Sequence, residues 1–259
     1  MRERGVVLVS HGFGEHAESY NELKERLGQA GYGCVVFTQR GHGELPAKQR
    51  GVIPGYDCFL DDISAQIAVI TEQNPGIPIV LYGHSMGGNI AANFLLRQGQ
   101  AAVTCALLES PWFGLYMKPS PVVSGAAKVL GAISPKFAIV NPLIFSDITG
   151  DPAKADWLKN DPLYHNRISM RMFAGIKAGC TYALKNASRL TTPVYLAYAQ
   201  NERIVSNPAI LDFAKAAGQS VTLKEYKSCH AIHNDMKRED FYGDMIDFLN
   251  TYCPVAAHA

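Results

Sequence analysis

The heptapeptide YGHSMGG, residues 82–88, constrains the fold of this chain more than any other stretch. An apolar run, residues 77–81, precedes it, and a helical pattern, residues 89–97, follows. A strand that turns sharply and leaves as a helix is the setting a G-x-S-x-G turn requires. The serine of such a turn sits in strained backbone, and a side chain at Gly83 or Gly87 would crowd the chain passing close by. The pattern therefore predicts an exposed Ser85 hydroxyl at the carboxyl end of a sheet. It also predicts the Met86 N–H at a helix start, facing any oxyanion that develops there. The bland alternative is a glycine-rich turn with no chemistry, and the flanking strand and helix argue against it.

The rest of the chain supplies a sheet to carry that turn. Residues 5–10, GVVLVS, are short, β-branched and apolar throughout, the mark of a strand buried on both faces in a parallel sheet. A glycine-containing loop, residues 11–16, leads to an amphipathic helix over 17–29, with Tyr20, Leu23 and Leu27 on one face. A strand over 34–38, a helix over 56–72 carrying Ile63, Ile67 and Ile70, and a strand over 101–109 continue the alternation. Alternating strands and helices predict an α/β architecture, a mostly parallel central sheet flanked by helices with right-handed crossovers. From Trp112 the pattern breaks. Prolines 119, 121, 135, 142, 152 and 162 punctuate short helical pieces, chiefly 122–133 and 168–188, with no convincing strand. The core pattern resumes with a strand over 194–199, a helix over 208–217, a strand over 220–226 and a closing helix over 238–252, ahead of a frayed tail. The expected organisation is a core, 1–111 and 191–259, interrupted by a helical cap, 112–190.

Composition narrows the partners. The 24 basic and 23 acidic residues of 259 give no nucleic-acid footprint. No apolar run is long enough to span a bilayer. Residues 1–4 lead straight into the first strand, so no signal peptide is expected. Cysteines 34, 58, 105, 180, 229 and 253 lack metal-ligand spacing, and Cys34 and Cys105 read as small buried hydrophobes. A cytoplasmic location with reduced thiols is the expectation.

A serine hydroxyl needs a base beside it, and the base needs an orienting carboxylate. In the chain order serine, acid, histidine, the acid belongs after the strand over 194–199, where Glu202 is the loop's only carboxylate. The histidine belongs after the last strand, where His230 and His233 both lie; His230 follows the strand sooner and is the expected base. Serine chemistry calls for no metal or cofactor. His11, His16, His42 and His84 belong to separate turns, and Gly12 and Gly14 do not complete a dinucleotide loop.

Taken together, HGFGEH (11–16), RGHG (40–43), GHSMGG (83–88), NDPLYH (160–165), NERIV (201–205) and CHAIHND (229–235) resemble the monoglyceride lipase and lysophospholipase family of α/β-hydrolases. The resemblance implies a serine esterase acting on acyl esters such as monoacylglycerols or lysophospholipids. Ser85 would be the nucleophile, Glu202 the acid and His230 the base, and the Phe13 and Met86 amides would form the oxyanion hole. Four positions depart from the family's pattern. Glu202 stands where aspartate is usual. Thr38 and Glu44 flank RGHG in place of aspartate and serine. Ser19 replaces an arginine, which leaves His233 as the expected partner of Glu15. The chain also lacks the family's two leading antiparallel strands, so a sheet of about six strands with an uncovered edge is expected.

The cap carries Trp112, Phe113, Leu115, Met117, Val129, Ile139, Val140, Leu143, Ile144 and Phe145. An apolar cap over the serine would suit an acyl chain, and Ile144, Phe145 and Val205 are the expected substrate contacts. The same residues could equally form the cap's own core, or touch a lipid surface transiently. A thioesterase or other acyl hydrolase on the same three residues, and a non-catalytic binding protein of the same fold, are the competing readings.

Overall fold

The computed structural model describes residues 3–117, 120–141 and 144–254. The sequence-based expectations at Pro119, Pro142, Leu143 and the tail 255–259 lie outside them. In chain order the elements are β1 (Val6–Ser10), α1 (Asn21–Gln29), β2 (Gly33–Val36), α2 (Asp57–Gln73), β3 (Ile79–His84), α3 (Met86–Phe94) and β4 (Cys105–Glu109). There follow α4 (Pro121–Ile133), β5 (Ala138–Val140), α5 (Phe145–Ile148), α6 (Pro152–Asn160), β6 (Arg167–Ser169) and α7 (Met170–Asn186). The chain closes with β7 (Val194–Ala199), α8 (Asn207–Ala217), β8 (Val221–Tyr226) and α9 (Arg238–Tyr252).

Six strands form one parallel sheet in the order β2-β1-β3-β4-β7-β8. Alternate side chains explain why the strands read as unbroken apolar runs. Val6 and Leu8 face one way and pack with Leu60 and Ile63 of α2, Ile90 of α3 and Phe213 of α8. Val7 and Val9 face the other way, against Leu23 and Leu27 of α1 and Phe241, Met245 and Leu249 of α9. Each such buried aliphatic side chain contributes ~2 kcal/mol. The edges differ. β8 carries exposed Thr222, Lys224 and Glu225, charges that discourage pairing with another chain. β2 is half-buried along its length, so Cys34 is only partly covered while Cys105 in β4 is buried as expected.

The strand order places the chemistry. From β1 the chain steps one way to β2 and then the other way to β3. The loops after β1 and β3 therefore open side by side at the point where the order reverses, where open α/β sheets bind ligands. Those two loops carry Phe13 and Ser85.

Two sequence expectations need correcting. The helix read over 17–29 is a 3-10 turn, Ala17–Tyr20, followed by α1. The stretch read without strands contains an antiparallel pair, β5 with β6, matching Ala138 to Ser169 and Val140 to Arg167. Three-residue strands are too short for a period of two to stand out. Residues 161–165 are also fastened to segments that precede residue 112. The His165 amide donates to the Gly14 carbonyl at 3.0 Å, His16 Nε2 meets Asp161 Oδ2 at 2.7 Å, and Arg50 reaches the Pro162 carbonyl at 2.8 Å.

Candidate active site

Ser85 links β3 to α3 with φ 52° and ψ −114°, a left-handed conformation rare for a side-chain-bearing residue. The turn is fixed on several sides. Its amide donates to the Glu109 carbonyl at 2.9 Å, and its carbonyl accepts from Asn89 at 3.1 Å and Trp112 at 2.8 Å. A Cβ on Gly87 would stand 1.8 Å from the Ser10 carbonyl oxygen, so only glycine lets α3 pass this close to β1. Met86 opens α3, and neither its amide nor that of Phe13 donates to another group among the described residues. Two free N–H groups beside a serine can receive negative charge.

Glu202 follows β7 and His230 follows β8. His230 Nδ1 lies 2.7 Å from Glu202 Oε2, and both side chains are buried. The other carboxylate oxygen, Oε1, accepts from the Ile204 amide at 2.7 Å and the Val205 amide at 3.1 Å. Burial pushes the Glu202 carboxyl up, but the His230 charge, its hydrogen bond and the two amides outweigh that and hold it below its ordinary value. Burial likewise pulls the His230 imidazole down, and the Glu202 charge and hydrogen bond, then Glu109 and Glu15, carry it above 6.5. The extra methylene of glutamate is absorbed by the loop: its carboxylate sits on its own following amides. Ser85 and His230 line the same cleft, with no hydrogen bond between them among the described residues. Such contacts are often loose in an empty site and tighten when substrate binds.

The cleft is small, with a volume of about 60 Å³. Phe13, Trp112, Leu115, Ile148, Tyr164 and Ile204 supply its apolar wall, and Glu15, His84 and Asn141 its remaining polar groups. None of the three expected substrate contacts is in that wall. Val205 is fully buried and pairs with Leu115 in an isolated bridge, Ile144 is 61% exposed, and Phe145 packs on Tyr164. Ile204, next to Val205, and Ile148, three residues beyond Phe145, line the wall instead. Which residue of the α5 turn or of the loop after Glu202 faces the cleft is not carried by composition.

Behind Ser85 lies a buried polar cluster of which the sequence showed only parts. Glu15 Oε2 accepts from the Gly12 amide at 2.6 Å and from the Tyr20 hydroxyl at 2.5 Å. It therefore props the loop that carries Phe13. The expected pairing of Glu15 with His233 is not made. His233 Nδ1 sits 2.9 Å from each oxygen of Glu109, and its amide donates to Glu109 at 3.0 Å. Glu109 also accepts from the Tyr82 hydroxyl. Its one visible sign was a charged residue ending an apolar run. His84 lies between the carboxylates, Nε2 3.8 Å from Glu15 and Nδ1 3.7 Å from Glu109. Burial outweighs both and pulls its pKa down to about 4. His84, Glu109 and His233 place ligand-type atoms within 4.8 Å of one another, the one such group among the described residues. Glu109 and His233 are already engaged with each other, while the buried His84 Nδ1 has no hydrogen-bond partner among the described residues.

A second imidazole group packs beneath Phe13. The His11 and His42 rings are 5.0 Å apart, and the His42 and His165 rings 4.8 Å apart. Burial pulls His11 and His165 down to about 4 and holds His42 well below its ordinary value. Because the folded values lie below the unfolded value of ~6.5, the stability these neutral rings contribute is complete above pH ~6.5 and drains away toward pH ~4. At pH ~5.5 each costs about 1 kcal/mol. His230 and His233, shifted upward, do not offset this, since their contribution is already complete below ~6.5. We expect the urea midpoint to fall by a wide margin between pH 7 and pH 5. A flat midpoint across that interval would contradict the neutral cluster.

Comparison with known proteins agrees with the geometry. A family model described as Hydrolase_4, serine aminopeptidase, S33, matches residues 1–237. A monoacylglycerol lipase of Mycolicibacterium smegmatis is 27% identical over 251 residues, 95% of this chain and 88% of that protein. An abhydrolase domain-containing protein of Dictyostelium discoideum is 28% identical over 94% of this chain, which spans only 26% of that protein's length. The crystal structure of a Paleococcus ferrophilus monoacylglycerol lipase superposes with a TM-score of 0.89 at 27% identity, covering 97% of this chain and 96% of that one.

Proposed function

The chain belongs to the serine aminopeptidase S33 family of hydrolases, and on that premise we propose that it is a serine hydrolase that cleaves acyl esters through Ser85, His230 and Glu202. The observation that carries this reading is the shared cleft: a serine on left-handed backbone and a carboxylate-bonded imidazole open onto one space beside two free amides. Ser85 Oγ attacks the ester carbonyl while His230 Nε2 takes its proton. Glu202 holds the proton on Nδ1, which keeps Nε2 a base, and it steadies the imidazolium that forms. The Phe13 and Met86 amides receive the oxyanion, at ~3 kcal/mol of transition-state stabilisation for each donor. His230 then protonates the leaving alcohol, and water repeats the sequence on the acyl-enzyme.

The substrate we propose is a neutral acyl ester of the monoacylglycerol kind, the substrate that the names of two relatives imply for those proteins. Among the described residues the cleft lining contains no lysine or arginine, and a phosphate would want one. Residues 112–190 act in this reading as a cap over the core formed by 1–111 and 191–259. Met117, Val122, Ile133 and Val140 of the cap stand exposed and suit brief contact with a lipid surface. No helix among the described residues is long and apolar enough to cross a membrane. The six free cysteines suit the cytoplasm.

A hydrolysis panel tests the proposal. Short-chain and medium-chain monoacylglycerols should be turned over faster than lysophospholipids, acyl thioesters and aminoacyl anilides of matched length. A preference for the anionic lysophospholipids, or for the anilides, would overturn the assigned substrate class.

A further inference from the structure

Glu109 joins two parts of the site that otherwise come from separate loops. It ends β4, in register opposite His84 at the end of β3. Its carbonyl accepts the Ser85 amide at 2.9 Å, so its main chain holds the turn that carries the nucleophile. Its carboxylate accepts both the amide and the ring of His233, three residues beyond His230. The other main-chain ties of that loop lead elsewhere. The His230 and Ala231 amides donate to the Asp147 and Ile148 carbonyls of the cap, and the Tyr242 hydroxyl from α9 binds the His233 carbonyl. Among the described residues, Glu109 alone hydrogen-bonds the loop to the strand ends beside Ser85; the His84 ring adds packing against the His230 and His233 rings at 4.9 and 5.0 Å.

We propose that Glu109 is a positioning residue for hydrolysis: its main chain fixes Ser85, its carboxylate fixes the His230 loop through His233, and together they set the separation of nucleophile and base. The proposal rests on the reading of Ser85 and His230 given above. Packing alone would not call for such a residue. A glutamate with no exposed surface must be desolvated, and an apolar side chain would fill a strand end without that cost. What an apolar side chain cannot do is accept three donors arriving from Tyr82 and His233. An ionised carboxylate bonded on both oxygens also holds its partner more stiffly than a neutral acceptor. A base displaced by a fraction of its contact distance loses rate steeply, because proton transfer from Ser85 needs the two atoms aligned.

The test compares Glu109→Ala, Glu109→Gln, His233→Ala and the Glu109→Ala/His233→Ala double variant, each assayed well below its own melting temperature. The readouts are kcat and KM on a p-nitrophenyl ester and the rate of Ser85 labelling by a fluorophosphonate. Glu109→Ala and His233→Ala should each lower kcat and the labelling rate by about 10- to 100-fold, with KM within about twofold. Glu109→Gln retains an acceptor oxygen and should recover most of the loss. The double variant should be no slower than the slower single, since both act along one route. If Glu109→Ala does not fold, His233→Ala and Glu109→Gln carry the comparison. Folded variants with lower melting temperatures but unchanged kcat would overturn the proposal, as would additive losses. Wild-type protein that fails to label at Ser85 would instead overturn the underlying reading.

Discussion

Replacing Ser85 with alanine should cut hydrolysis of a short p-nitrophenyl ester by about 10^4- to 10^6-fold and leave the fold in place. The two halves of that expectation have different causes. The rate falls because, among the described residues, no other serine, threonine or cysteine lines the cleft with His230. The fold persists because the Ser85 Oγ has no hydrogen-bond partner among the described residues, so deleting it strands no buried group. The bonds that shape the turn run through the Ser85 main chain to Glu109, Asn89 and Trp112. Alanine keeps all of them and tolerates φ 52° no worse than serine. The check is turnover alongside a thermal melt. Undiminished turnover refutes the nucleophile, and a collapsed melt refutes the account of the turn.

The second large effect is expected at Glu202. Glutamine there is nearly isosteric, yet the surroundings decide which way its amide points. The Ile204 and Val205 amides donate to Oε1, so the glutamine oxygen must stay on that side. Its NH2 group then faces His230 Nδ1, which has to accept instead of donate. The ring proton moves to Nε2, the atom that should take the proton from Ser85. We expect Glu202→Gln to lower kcat by about 10^3- to 10^4-fold with little change in KM. The pH profile adds a second sign. In the native site the acid limb of kcat/KM should lie above 6.5, because Glu202 carries His230 upward against burial. Without the carboxylate charge the burial effect dominates and the limb moves to lower pH. Loss of rate with an unmoved acid limb would show that Glu202 acts on geometry alone.

The middle of the sheet was legible because β1, β3, β4 and β7 are covered on both faces and read as largely apolar runs; β7 and α9 begin and end where the sequence places them. That Glu202 meets His230, and that His230 shares a cleft with Ser85, was legible because serial order after the strands is a one-dimensional signal. What escaped is what depends on approach across the fold. His233 lies 124 residues from Glu109, and nothing local links them. The cleft wall escaped for a related reason. Whether Ile148 or Ile144 faces Ser85 depends on how the short α5 turn is seated, and four residues are too few for a helical period to declare a face. The short β5–β6 pair fails the same test for strands.

The fastening of the cap has a consequence for traffic through the site. Residues 161–165 are bonded to the loop that bears Phe13 through Gly14 and His16, and Arg50 adds a third tie from a separate segment. In the proposed reading, a swing that raises this stretch away from the sheet would pull the Phe13 amide away from Ser85. The α5 flank is tethered as well, because the His230 and Ala231 amides donate to the Asp147 and Ile148 carbonyls. The covering stretch is thus pinned at two places, once to each loop that would do the work, and neither side can open without being felt by the groups beneath.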